Sequence, residues 1–124
     1  MLLAVAAGGA FGAVARYLLI TQVGHWLGTG FPFGTITVNI LGSFIMGASI
    51  EIFALVWSPP MELRAFLAVG VLGAFTTFST FSMDVILLAE RGATGQALAY
   101  VAVSVLLSIA GLYAGMHLFR VFLA

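Results

Sequence analysis

This chain has no cysteine, no lysine and few charged residues. Its 124 residues contain no cysteine, and its four basic residues are all arginines. The absence of cysteine excludes disulfide bonds, thiolate catalysis and cysteine-based metal sites. Charged residues make up only 6% of the chain, and four acidic residues balance the four basic ones. This balance leaves no basic surface to attract nucleic acid, so nucleic acid is excluded as a partner.

Apolar residues dominate what is present. They account for 63% of the chain, which contains 15 glycines besides. A water-soluble domain of this length would need far more charge to cover its surface. A bilayer accepts such a composition, provided that the backbone is hydrogen-bonded within helices or a closed barrel. The composition therefore predicts an integral membrane protein in contact with lipid.

Breaks in the apolar character divide the chain into four predicted spans. They lie at about 2–22, 34–57, 61–90 and 96–122 of a single transmembrane domain, 1–124. Glycine and proline mark the first loop, the Pro59-Pro60 pair marks the second, and the segment 91–95 marks the third. A cleaved signal peptide is an alternative for 1–22. It lacks a charged first region, however, and Arg16 interrupts its apolar stretch.

Arginine placement decides the orientation of most multi-span proteins, because cytoplasmic loops carry an excess of basic residues. Arg64 and Arg120 fall on one side of the predicted bundle, and Arg91 and Arg16 fall on the other. The tie leaves two interpretations open. Either the bias is merely weak, or the chain inserts both ways and two opposed copies pair about an axis in the membrane plane.

Arg16 is a charged residue inside the first predicted span. On a helix it shares a face with Gly9 and Gly12, a small-residue stripe that would admit a neighbouring backbone. It either faces the interior of a bundle or snorkels to the nearby interface, and the spacing leaves both interpretations open.

Two ladders of neutral hydrogen-bonding side chains follow helical spacing. The second span has Thr35, Asn39 and Ser43, and the fourth has Tyr100, Ser104 and Ser108. One such ladder is common as a contact between membrane helices. Two ladders without a carboxylate favour a path for an anion over one for a cation or a proton.

The third predicted span is too long for a straight crossing. Thirty helical residues reach about 45 Å, whereas the hydrocarbon core is about 30 Å thick. Near its middle, five hydroxyl residues occur between Thr76 and Ser82 and compete for backbone hydrogen bonds. The pattern predicts a break whose freed carbonyls must be satisfied by neighbouring groups, water or a cation, and discontinuous helices of this kind are known to bind sodium. The phenylalanines interleaved there are either core residues or rings whose positive edges face an anion.

The remaining polar residues indicate no enzyme. His25 and His117 are isolated, and the chain has no nucleophile triad, phosphate loop or zinc-binding helix motif. Asp84 is either a vestibule residue or one partner of a cap or ion pair, and Glu51 lies near a helix end.

The main rival to an anion channel is a small dual-topology, proton-coupled multidrug exporter. Such an exporter would need an acid in its first span, where this chain has Arg16. A second rival is a noncatalytic assembly subunit.

Three patches together resemble the Fluc (CrcB-type) fluoride channels. They are Gly8-Gly9-Ala10-Phe11-Gly12-Ala13-Val14-Ala15-Arg16-Tyr17, Gly34-Thr35-Ile36-Thr37-Val38-Asn39-Ile40-Leu41-Gly42, and Gly70-Val71-Leu72-Gly73-Ala74-Phe75-Thr76-Thr77-Phe78-Ser79-Thr80-Phe81-Ser82. The third patch is the most specific, and with the length and four-span layout the resemblance covers essentially the whole chain. It implies a passive fluoride-specific channel in the bacterial plasma or inner membrane that exports cytoplasmic fluoride and so limits its toxicity. It also implies an all-α, antiparallel dual-topology homodimer whose third helix is broken near the midplane.

The resemblance also implies roles for particular residues. Those expected along the fluoride pore are Asn39, Phe78, Phe81, Thr80, Tyr100, Ser104 and Ser108, and Arg16 is expected in the aqueous vestibule. The backbone carbonyls of Gly73 and Thr76 are expected to bind a structural sodium ion that is not transported. The family often has glutamate at the position of Asp84.

Overall fold

Four apolar helical segments make up the fold, seen in a computed structural model that describes residues 1–123. They are α1 (Leu2–Leu27), α2 (Phe33–Leu55), the third span (Met61–Glu90) and α6 (Thr94–Leu123). The prediction of an all-helical protein with four membrane-spanning segments is confirmed. α1 continues past the predicted end at Gln22, because nothing interrupts the helix before Gly28, whose φ of 84° only glycine adopts readily.

The third span is interrupted near its middle, as the sequence predicts. Its first half contains α3 (Met61–Arg64), a π-helical stretch (Ala65–Leu72) and the short α4 (Gly73–Phe75), and its second half is α5 (Phe78–Glu90). Between them Thr76 and Thr77 are extended, with ψ of 159° and 125°. Thr77 also caps α5, since its Oγ1 accepts the N–H of Thr80 at 3.2 Å. The run of hydroxyl residues thus both ends one helix and starts the next.

The first half of the third span packs closely against α1 through small residues. A Cβ added at Gly12 would overlap the carbonyl oxygen of Val71, and one added at Gly8 would overlap that of Phe66. A Cβ at Gly9 would meet nothing within 4 Å. The contact stripe is therefore Gly8 and Gly12, one position away from the predicted pair of Gly9 and Gly12.

α2 and α6 form the other close helix pair. Cβ atoms added at Gly47 and Gly115 would overlap the carbonyls of Leu112 and Phe44 on the facing helix. Near the ends of the same two helices, Arg120 Nη2 lies 2.6 Å from the buried Glu51 Oε1. α5 lies against α6 in a small core of Phe81, Leu88, Ala97 and Tyr100. The third span thus contacts α2 at its break, where Gly42 faces Thr76 and Phe75, and contacts α6 along α5.

Candidate functional site

Asn39 holds the break of the third span in place. The backbone N–H of Thr77 donates to Asn39 Oδ1 at 2.8 Å, and Asn39 Nδ2 donates to the carbonyl oxygen of Thr77 at 3.1 Å. In an unbroken helix that Thr77 N–H would donate to the carbonyl of Gly73. Asn39 on α2 therefore satisfies the Thr77 N–H that the break frees. One N–H of the Asn39 side-chain amide remains for another acceptor.

The break deprives several backbone carbonyls of their helical donors, those of Gly73 and Thr76 among them. Gly73 loses the N–H of Thr77 to Asn39, and Thr76 loses the N–H of Thr80 to the side chain of Thr77. Gly73 and Thr76 are the two residues whose carbonyls are expected to bind sodium. Gly73 is exposed on the single chain. Unpaired carbonyl oxygens in an unwound membrane helix are suitable ligands for a hard monovalent cation. The residues present thus fit a sodium ion at this position.

A cavity of about 310 Å³ opens beside the break, between α2 and α6. Polar side chains and rings from three spans line it together with two aliphatic residues of α6. These lining residues are Asn39, Ser43, Thr76, Thr77, Phe78, Phe81, Ser104, Val105, Ser108 and Ile109. None of them is charged. Of the seven residues expected along the pore, the cavity brings together Asn39, Phe78, Phe81, Ser104 and Ser108.

The two phenylalanines differ sharply in how they are held. Phe81 is only 8% exposed and packs on Tyr100 with ring centroids 5.2 Å apart. Phe78 is 77% exposed on the single chain, and its ring centroid lies 5.6 Å from that of Phe81. One ring is therefore fixed by the core, and the other projects from the break into space that the chain itself does not fill.

Ser104 carries a buried hydroxyl without a partner. The residue is 5% exposed, and its Oγ makes no hydrogen bond to any group of residues 1–123. Burying an unsatisfied hydroxyl costs about 1–3 kcal/mol, which a bound ion or water would offset. Ser108, one turn further along α6, is half-buried and lines the same cavity.

Tyr100 and Thr80 lie outside the cavity lining. Tyr100 is fully buried and donates its hydroxyl to Asp84 Oδ2 at 2.9 Å, the same oxygen that accepts the Thr35 hydroxyl at 2.9 Å. Asp84 is thus neither a cap nor a member of an ion pair, but the acceptor that joins α2, α5 and α6. Thr80 Oγ1 accepts the Thr77 hydroxyl at 3.2 Å, which ties it to the start of α5.

Arg16 is half-buried on α1 and does not line the cavity. Within the described chain its side chain makes no hydrogen bond or ion pair, so the structure gives this arginine no partner in a single copy. Glu51, which the sequence places near a helix end, forms an ion pair with Arg120.

Thr77 and Ser43 are the site residues that sequence reasoning left unassigned. Thr77 caps α5, and its backbone N–H donates to Asn39. Ser43 lines the cavity one turn after Asn39. The signal for Thr77 was available, because a threonine three residues before Thr80 fits an N-cap. The signal for Ser43 was its place in the hydroxyl and amide ladder of α2.

Comparison with known proteins gives consistent matches. The sequence model of the family described as CrcB-like protein, Camphor Resistance (CrcB), matches residues 3–116. A protein of Rhodospirillum centenum is 64% identical over 120 residues, which are 97% of this chain and 95% of that protein. Relatives in Nitrobacter winogradskyi and Agrobacterium fabrum are 51% and 48% identical over 97% and 94% of this chain, and 95% and 93% of their own lengths. All three are named fluoride-specific ion channel FluC.

Proposed function

Because the chain belongs to the CrcB-like protein family, we propose that it is a fluoride-specific ion channel of the bacterial cell membrane, giving passive export of cytoplasmic fluoride. The relatives that carry this name match it over nearly their whole length. Four apolar helices make it a multi-pass membrane protein. An ion channel is not an enzyme, and the family indicates no catalytic activity. The exporter alternative needs an acid inside a span that is free to exchange protons, but Asp84 accepts two hydroxyl donors and Glu51 is paired with Arg120.

We propose that the cavity beside the break is part of the fluoride path. The observation that carries this assignment is the partnerless hydroxyl of Ser104, buried in a cavity whose other polar groups are also neutral. Fluoride gives up water only if several donors replace it, and a fixed positive charge would hold it too tightly to release. The hydroxyls of Ser43, Ser104 and Ser108 and the spare amide N–H of Asn39 meet this need.

The rings of Phe78 and Phe81 supply the apolar part of the same path. Aromatic edges carry partial positive charge, so they can face an anion without a formal cation. Phe81 is fixed against Tyr100, which Asp84 holds by a hydrogen bond. In this proposal Tyr100, Thr80 and Asp84 position the ring and the break, and the cavity residues contact the ion.

Efflux from liposomes tests the channel. Purified protein reconstituted into vesicles loaded with fluoride should release it at equal pH on both sides once a potassium ionophore balances charge. The same vesicles loaded with chloride should retain it. Vesicles without protein give the leak. Proton-driven uptake of a cationic dye would support the exporter instead, and neither activity would support an assembly subunit.

We propose further that two copies assemble as an antiparallel homodimer. The exposed Phe78 ring and the exposed Gly73 leave the site incomplete in one chain. A second copy would cover both, and the balanced arginine count is compatible with opposed insertion. Arg16, without a partner in the single chain, would lie in the aqueous vestibule of this assembly.

Labelling of a single cysteine tests the opposed insertion. The chain has no native cysteine, and a side chain at the exposed Gly95 would meet nothing within 4 Å. In intact cells, a membrane-impermeant maleimide should label about half of the Gly95→Cys protein. Permeabilised cells should give full labelling, which serves as the control. Labelling of all or none of the protein in intact cells contradicts dual topology.

We propose that the freed carbonyls of Gly73 and Thr76 hold a structural sodium ion in the dimer. A ligand that binds only the folded state raises its stability. In detergent, the thermal midpoint should be higher in sodium than in N-methyl-D-glucamine of equal ionic strength, by about 4 °C or more. Potassium serves as the size control. Equal midpoints in sodium and in the organic cation contradict the site without bearing on fluoride conduction.

A further inference from the structure

A second groove lies away from the fluoride site, between the last turns of α2 and the first half of the third span. Its volume is about 300 Å³. Its lining is mostly apolar, with one serine and one arginine. The lining residues are Met46, Ser49, Ile50, Phe53, Ala54, Arg64 and Ala68. The serine adds little polarity, because its hydroxyl already donates to Ile45 O at 2.8 Å.

Arg64 brings an uncompensated charge to this groove. Its guanidinium carbon lies 5.4 Å from the centre of the Phe53 ring, and its Nη2 makes one long hydrogen bond of 3.4 Å to Ser58 Oγ. Across residues 1–123 the ion pair formed is that of Arg120 with Glu51, so Arg64 has no carboxylate partner there. An exposed arginine without an acid is free to bind an anionic group.

The charged and apolar parts of the groove follow the same order across the membrane as the headgroup and acyl chains of a phospholipid. Arg64 stands at the start of the third span, directly after the Pro59-Pro60 loop and near Trp57, a residue typical of the membrane interface. From there the lining runs along both helices toward Met46 and Ala68, nearer the middle of the membrane. The cation therefore lies at headgroup level, and the apolar walls lie at the level of the acyl chains.

We propose that this groove binds an anionic phospholipid. The phosphate contacts Arg64, and one acyl chain lies along the apolar wall between α2 and the third span. Charge complementarity selects an anionic headgroup, since basic side chains at the membrane surface attract anionic lipids. The apolar length of the groove selects a lipid over a free phosphate, which would contact Arg64 alone.

Quenching of Trp57 fluorescence tests this proposal. The Trp57 ring packs against Phe53 at a centroid distance of 6.2 Å, so it reports on the interfacial end of the groove. The chain has two tryptophans, and Trp26→Phe leaves Trp57 alone. In phosphatidylcholine vesicles, acyl-brominated phosphatidylglycerol should quench Trp57 more than equally brominated phosphatidylcholine at the same mole fraction. The apparent preference should be about fivefold in relative affinity, the order expected for one basic residue.

Three variants of the Trp26→Phe protein sharpen the test. Arg64→Gln should abolish the headgroup preference, whereas Arg91→Gln, at the opposite end of the bundle, should retain it. Ala68→Leu should fill the groove and reduce quenching by both lipids. Glycerol phosphate in solution should leave quenching unchanged. Equal quenching by both lipids, or quenching unaffected by Arg64→Gln, overturns the proposal. Low quenching by both lipids in every variant indicates that a second copy of the chain fills the groove, and it also overturns the proposal.

Discussion

Phe78→Ile should abolish most fluoride efflux from liposomes while leaving the protein folded and its assembly unchanged. The Phe78 ring is 77% exposed on the single chain, so its loss removes little packing within the protomer. It does remove a ring edge beside the cavity, and an aliphatic side chain offers no comparable positive edge to an anion. An aromatic contact at the upper end of the usual range, about 1.4 kcal/mol, corresponds to a rate change of about tenfold. Fluoride-electrode recordings of efflux at equal protein content measure the change.

Phe122→Ile is the matched control for this variant. Phe122 is 75% exposed near the end of α6, outside the cavity, so the same loss of a ring should leave efflux unchanged. Size-exclusion chromatography shows whether either variant alters assembly. Wild-type efflux from a properly assembled Phe78→Ile protein would remove this ring from the proposed path.

The same substitution at Phe81 gives a less clear answer. That ring is buried and packs on Tyr100, whose hydroxyl is bound to Asp84. Its loss would disturb the contact between α5 and α6 as well as the cavity. A decrease in efflux would therefore combine a packing effect with the loss of an ion contact.

Local patterns in the sequence predict the break of the third span, but not what stabilises it. The hydroxyl run from Thr76 to Ser82 competes for backbone hydrogen bonds wherever it lies in a helix, so the interruption follows from the segment alone. The double hydrogen bond from Asn39 joins residues 38 positions apart. That contact depends on how α2 packs against the third span. The spacing of polar residues along α2 does not predict this packing.

The packing of the helices also determines which glycines contact the third span and which donors Asp84 accepts. Gly9 and Gly12 share a face with Arg16, but the π-helical stretch meets α1 along Gly8 and Gly12. A π-helix has a wider turn than an α-helix, and the run Ala65–Leu72 has no sequence mark of it. Asp84 likewise finds its donors, Thr35 and Tyr100, on two other helices.

Asn39→Ala is the variant with the largest expected effect on the site as a whole. It leaves the N–H and the carbonyl of Thr77 without their side-chain partners. Each unsatisfied buried group costs about 1–3 kcal/mol, so the break should lose its fixed geometry. We expect a lower thermal midpoint in detergent and fluoride efflux at the level of protein-free vesicles.

Thr37→Ala is the control on the same helix, because the Thr37 hydroxyl bonds only locally, to Phe33 O at 2.8 Å. Asn39→Asp separates the two roles of the amide. The carboxylate can still accept the N–H of Thr77, but it can no longer donate to the carbonyl of Thr77 or to fluoride, and its charge repels the anion. An anchoring role predicts that the aspartate variant is more stable than the alanine variant although both conduct poorly. If Asn39 served only as a donor to the ion, Asn39→Ala would keep the wild-type midpoint, since fluoride is absent from the unfolding experiment.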